Sequence, residues 1–210
     1  MTKTPVRKFA EDVGWAVSSS IMVIVVGMVL NIIVGNSFRA QGLGLYSMTL
    51  TVLLITSIIA SFGIHSAITK YTAQYKGDTD KTNQLVSTGF VLMFSSGICF
   101  TIIVFVLSPL FASIFKMPEL KECIRVVALT FTFFIVNKGL LGFLNGLREM
   151  KKYAIIESLR YIFILILTVI SFLLFHSLRG VIFAFPLAES LLFFILLIIC
   201  RKHFKFNFTR

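Results

Sequence analysis

The sequence predicts an all-α integral membrane protein, a bundle of six transmembrane helices. Three observations carry that expectation. Hydrophobic residues make up 57% of the chain and charged residues only 14%, where a soluble domain carries about 25% charge. Mean hydropathy is +0.94. The apolar residues also gather into long runs that approach the roughly 20 residues a helix needs to cross hydrocarbon, and none alternates with the period of two that a strand requires.

Taken in order, residues 1–14 mix Val6 and Phe9 with Arg7, Lys8, Glu11 and Asp12, which suits either an interfacial helix or a frayed tail. The first span, Trp15–Asn36, is longer than a signal-peptide core, and no A-x-A cleavage site follows it. A short turn at Arg39 leads to the second span, Leu43–His65. A turn-rich connection, Lys70–Asn83, precedes the third, Gln84–Leu107. A longer loop between Pro109 and Pro118 leads to the fourth, Ile124–Leu144. The fifth and sixth, Tyr153–Phe175 and Leu178–Cys200, are joined by a very short turn near Arg179. These spans form one membrane bundle over residues 15–200, and a basic tail occupies 201–210.

The net charge of +11 does not point to nucleic acid, because the basic residues sit in short segments between apolar runs and form no basic arm. Assigned to sides, thirteen Lys and Arg fall with the termini and the connections near Lys76 and Lys151. Four fall on the opposite side, or five with Arg125. The positive-inside rule then places both termini in the cytoplasm of a plasma-membrane protein, as an even number of spans also requires. Cys99, Cys123 and Cys200 form no C-x-x-C or Cys/His cluster, and His65, His176 and His203 are far apart, so no metal, cofactor or disulfide framework is expected.

Ionisable residues inside a bilayer are costly and each needs a reason. Glu189 lies eleven residues from either end of the sixth span, about 16 Å deep. Too short to snorkel, it must face the interior, pair with a cation or be protonated, so it reads as an ion-coupling carboxylate or as half of a structural pair. Lys138 can snorkel or join a polar stripe with Thr130, Asn137 and Asn145. Glu157 and Arg160 are three apart and neutralise one another, although the planar fork of Arg160 also suits a phosphate. Tyr161, Thr168 and Ser171 continue that face. The four charges sum to zero, which fits a wet, internally paired cavity. Ser20, Gly27, Asn31 and Gly35 in the first span, and Gly142-x-x-x-Gly146 in the fourth, form small-residue stripes that read as packing seams or, alternatively, as part of a substrate path. No Gly-rich phosphate loop, H-E-x-x-H or G-x-S-x-G is present, and no loop carries a convincing constellation for a membrane-embedded enzyme.

Four segments carry a family resemblance. They are Arg39-Ala-Gln-Gly42-Leu-Gly44-Leu-Tyr46, Phe62-Gly63-Ile-His-Ser-Ala67-Ile-Thr-Lys70-Tyr71, Leu141-Gly142-Phe-Leu-Asn-Gly146-Leu-Arg148-Glu-Met150-Lys151, and Leu178-Arg-Gly180-Val181. In order and spacing the chain resembles the N-terminal half of polysaccharide (O-antigen-type) flippases, of the superfamily that also holds lipid II flippases and multidrug and toxin extruders. It departs in its first turn, which lacks the usual insert between the glycines. It also has one six-helix lobe where the family has two.

The resemblance implies a MATE-like lobe that carries a lipid-linked oligosaccharide across the membrane by alternating access, without catalysis. Arg39, Lys138, Arg160, Asn31 and Asn137 would bind substrate. Glu189 and Glu157 would couple an ion or balance charge. The implied partners are the lipid-linked oligosaccharide, membrane lipids, and a second lobe from a homodimer or a separate chain. Two alternatives are a cation-coupled multidrug antiporter of the same fold and a non-catalytic membrane partner subunit.

Overall fold

Lipid offers no hydrogen bonds to a backbone, so an apolar chain that satisfies its own peptide groups does so as helix. The computed structural model describes residues 5–75 and 77–201, and these are helical apart from short connections. In order the elements are α1 (Pro5–Ala60), α2 (Ile64–Gln74), α3 (Thr79–Ile114), α4 (Leu120–Ala128), α5 (Thr130–Gly146), α6 (Met150–Phe175) and α7 (Leu178–Cys200). Among the described residues four helices (most of α1, then α3, α6 and α7) are long and apolar enough to cross a membrane, and α4 with α5, bent by 44°, makes a fifth if the pair is one span.

α1 is interrupted. Arg39 takes φ 59°, ψ −168°, outside helical space. A Cβ on Gly35 would lie 3.7 Å from Leu43 Cδ2, whereas eight residues of unbroken helix would separate the two by about 12 Å. The chain therefore turns at Arg39 into a second arm. That arm ends at Ala60, where Phe62 (φ 42°) and Gly63 (φ 69°) break the helix before α2. The Ile64 N–H turns to Ser61 O, and the carbonyl of Ala60 instead accepts from Ser96 Oγ of α3 at 2.6 Å. The second break, at Leu129, is treated similarly: Thr101 Oγ1 of α3 donates to Ala128 O at 3.1 Å and lies 3.0 Å from Thr132 Oγ1. One helix thus supplies the hydroxyls that cap two interruptions.

Several expected boundaries move. The described part of the N-terminal segment is helix continuous with α1, with Arg7 and Glu11 paired at 3.5 Å, rather than a frayed tail. α3 runs through Pro109 to Ile114, so the loop expected between the prolines shrinks to 115–119. Proline cannot donate to the carbonyl four residues back. Ser108 Oγ fills that role, donating to Phe105 O at 2.8 Å. The turn-rich connection also contracts, since α2 continues to Gln74. α3 restarts behind an Asp78 cap whose side chain accepts from the Lys81 amide at 3.0 Å, and this bond and the adjacent Lys81 ammonium hold the Asp78 carboxyl below the usual range. Lys76 and the tail beyond Arg201 lie outside the described residues.

α5 and α7 form the centre. Phe131, Ile135, Phe143 and Leu144 of the first, with Val181, Ala188, Leu192 and Leu196 of the second, are fully buried. The two small-residue stripes behave differently. Cβ atoms on Gly142 and Gly146 would come within 2.7 Å of the backbone oxygens of His65 and Thr69, so that stripe is a close seam with α2, tied by Thr69 Oγ1 to Gly142 O at 3.0 Å. Gly27 meets nothing within 4 Å, so the α1 stripe packs against no part of the described chain there.

Candidate functional site

The polar centre is built from three helices. Asn137 lies on α5, Glu157 and Arg160 on α6, and Glu189 midway along α7. Spacing on α6 dictates the first contact, since residues three apart share a helix face. Arg160 Nη1 donates to both Glu157 oxygens, at 3.1 and 3.0 Å. Packing of α6 on α7 brings the second carboxylate: Arg160 Nε lies 2.9 Å from Glu189 Oε1, a charge contact without hydrogen-bond alignment. From the other side, Asn137 Nδ2 donates at 2.8 Å both to Glu189 Oε2 and to the Glu189 carbonyl. The side chains of Arg160 and Glu189 are only 6% and 2% exposed, so this is an ionic group held inside the bundle. One arginine lies between two carboxylates, and its Nη2 has no hydrogen-bond partner among the described residues; neither does Asn137 Oδ1.

Lys138 is half-buried beside this group and makes no ion pair with it. Its Nζ lies 5.7 Å from the centroid of the Phe134 ring, and the guanidinium carbon of Arg160 lies 5.4 Å from the same ring. The shared ring lets two cations sit near one another, because each is drawn to its π-system. Phe134 was not singled out from sequence. Its position one turn before Lys138 on α5 was the available signal.

The expected set therefore divides. Asn137, Glu157, Arg160 and Glu189 come together, with Lys138 at their edge. Arg39, at the turn in α1, and Asn31 are exposed and lie elsewhere. Asn31 lines an open groove of about 620 Å³ on the first arm of α1, with Gly27, Gly35 and Asn36. Within the stripe proposed on α5, Thr130 and Asn137 are buried, but Asn145 is exposed at the α5–α6 connection. What the buried group can do chemically is hold charge in place, offer a guanidinium edge to an anion, and exchange one carboxylate partner for another.

Long apolar helices packed around a buried ionic group define a multi-pass membrane protein with the fold of MATE-type transporters. The chain superposes on a MATE mutant crystal structure with a TM-score of 0.85, at 15% identity over 96% of this chain and 47% of that one. A MOP superfamily transporter from Pyrococcus furiosus, described as having a binding pocket of reversed polarity, gives 0.81 at 16% identity over 91% and 44%.

Within that fold class, the chain belongs to the polysaccharide biosynthesis protein family, whose model matches residues 9–210. It is 28% identical over 139 residues to the lipid III flippases of Escherichia coli (strain K12) and Shigella flexneri, across 64% of this chain. The match spans about a third of the length of those relatives, 33%.

Proposed function

We propose that this chain is one lobe of a flippase for a lipid-linked oligosaccharide. The observation that carries the reading is Arg160, buried within the bundle, paired to Glu157 and Glu189, and still holding an unused Nη2 donor. The planar fork of Arg160 can receive a phosphate by releasing a carboxylate partner, which is then balanced by a proton or by another cation. Lys138 lies close enough to add a second positive charge, and Asn137 offers a free acceptor to a sugar hydroxyl. The lipid III flippase relatives and the family support the substrate class.

The bundle is read as six crossings, with the two arms of α1 as separate spans and α4 with α5 as one. Both termini are then cytoplasmic, on the side that gathers thirteen Lys and Arg. The exposed Asn31 and the unfilled stripe around Gly27 lie on a membrane helix, where lipid satisfies neither polarity nor close packing. A second lobe covers that face.

The test is transfer of a fluorescent lipid-linked oligosaccharide in proteoliposomes, with cross-linking and mass measurement alongside. Arg160→Ala and Lys138→Ala are expected to slow transfer by about tenfold or more at equal folded protein, the loss of a charge-assisted bond. Transfer by a strictly monomeric preparation would remove the second lobe, and unchanged rates in both variants would remove the substrate site.

A cation-coupled drug antiporter of the same fold is a second reading, favoured by the depth of Glu189. Arg160, already on its Oε1, weighs against a free cation site there. Normal transfer with an unchanged pH profile in Glu189→Gln would deny that residue any coupling role in either transporter.

A further inference from the structure

Away from the buried ionic group, the start of α1 and the start of α6 enclose a second feature. Two overlapping clefts of about 590 and 570 Å³ share Lys8, Asp12, Arg148 and Met150. One extends over Trp15, Lys151 and Lys152. Among the charges here, Lys152 holds Glu149 at 2.6 Å and Arg7 holds Glu11 at 3.5 Å. In the lining of the two clefts Lys8, Arg148, Lys151 and Lys152 face Glu11, Asp12 and Glu149, an excess of one positive charge. Lys151 Nζ lies 5.5 Å from the Trp15 ring centroid, which steadies an ammonium that no carboxylate pairs among the described residues.

Trp15 also opens a different space. A groove of about 230 Å³ runs between α1 and α6, lined by the apolar Trp15, Ala154, Ile155, Leu159 and Ile162 and by the small Ser18, Ser19 and Ser158. The surface it presents is mostly apolar. From Lys151 to Ile162 is eleven residues of α6, about 16 Å of rise into the apolar part of the bundle. A basic cleft at the end of the helices continues, through one tryptophan, into an apolar slot pointing along them. That is the layout of a bilayer lipid, with an anionic head at the interface and a chain directed inward.

We propose that the α1–α6 crevice is a binding site for an anionic phospholipid. The phosphate sits among Lys8, Arg148 and Lys151, and one acyl chain lies in the groove from Trp15 to Ile162. This site is independent of the transport reading, because it shares no residue with the ionic group on α5, α6 and α7. It also gives the paired start of α1 and α6 a fixed seat at the membrane surface.

The experiment exposes the full chain to mixed micelles of equimolar phosphatidylglycerol and phosphatidylcholine and reads retained lipid by native mass spectrometry. Phosphatidylglycerol is expected to be retained preferentially. Lys8→Gln with Lys151→Gln should lower its retention by about thirty-fold, from a factor of about five per lost charge near the surface. Ser158→Trp, which fills the groove and leaves every charge in place, should also lower it. Lys116→Gln with Lys121→Gln, in the connection between α3 and α4, should leave retention unchanged. Melting of each variant confirms folded protein, and the substituted lysines are exposed or half-buried, so folding is preserved. Equal retention of the two lipids would overturn the proposal, as would indifference to the double lysine variant. Release of bound phosphatidylglycerol by millimolar inorganic phosphate would show a simple anion site instead. Preference for a polyprenyl phosphate over phosphatidylglycerol would reassign the crevice to carrier lipid.

Discussion

α3 and α7 are close matches by composition and opposites by position. Their most apolar windows have mean hydropathies of 2.6 and 2.5, and each helix contains a proline, Pro109 and Pro186. Yet half of that window in α7 is buried and only 17% of it in α3. α3 lies at the rim with Ile98, Ile102, Phe105 and Val106 exposed. α7 lies at the centre and carries Glu189. Hydropathy reports that a helix can cross a membrane. Where the helix stands in the bundle is reported by the polar groups it brings, because only an interior position can pair a carboxylate. The rim helix instead uses small and hydroxyl residues, Gly97, Ser96 and Thr101, on the side that meets its neighbours.

This contrast can be broken at its strongest point first. Glu189→Leu leaves Arg160 buried with one carboxylate and removes one of the two acceptors of Asn137, so it should cost about 3–5 kcal/mol, read as a lower melting temperature in detergent. Replacing the set together, with Glu157→Gln, Arg160→Met and Glu189→Leu, should recover most of that loss, since an uncharged core needs no internal counter-ion. A triple variant no more stable than the single would mean that the ionic group itself holds α6 to α7. On α3, Gly97→Ala places a methyl 2.8 Å from Thr132 Cα, backbone that cannot rotate away. The expected loss is about 1–3 kcal/mol. A neutral result would show that the rim helix slides freely against α5.

The smallest expected effect has the opposite sign. His176 ends α6 in the left-handed conformation, φ 46°, ψ 30°, which disfavours a side chain. His176→Gly should stabilise by about 1 kcal/mol in the same melting assay. A loss instead would mean that the His176 ring, 5.5 Å from Phe172, contributes more than the backbone strain costs.

Much of the ionic group was legible before any coordinates. The i, i+3 spacing of Glu157 and Arg160 required their contact. The depth of Glu189 called for an interior place, a cation or a proton, and Lys138 and Arg160 were the cations available. Which of them would reach it depended on how α6 and α5 are rotated about their axes, which is set by packing and not by depth. Two helix breaks were hidden for a related reason. The turns at Arg39, Lys116 and Arg148 fall in connections the sequence marked, but the breaks at Phe62, which adopts positive φ without being glycine, and at Leu129 lie inside expected spans that no residue type interrupts. Pro109 had the reverse effect, suggesting a stop where Ser108 restores the missing donor. The exposure of Asn31 could not be read from its stripe, because small residues face a neighbour equally well whether that neighbour is in this chain or another.

The hydroxyl of Ser96 on the Ala60 carbonyl has a consequence for the order of manufacture. A ribosome releases the second arm of α1 and the break at Phe62 well before residue 96 leaves the exit tunnel. In that interval the Ala60 carbonyl has no donor, and hydrocarbon offers none. The nascent hairpin must therefore wait in a watery or proteinaceous environment, or run straight through Phe62 as continuous helix, until α3 arrives. The bend between α1 and α2 is then begun locally, with Gly63 at φ 69°, and completed only by a later helix, so a delay in the insertion of α3 leaves the Ala60 carbonyl without its partner.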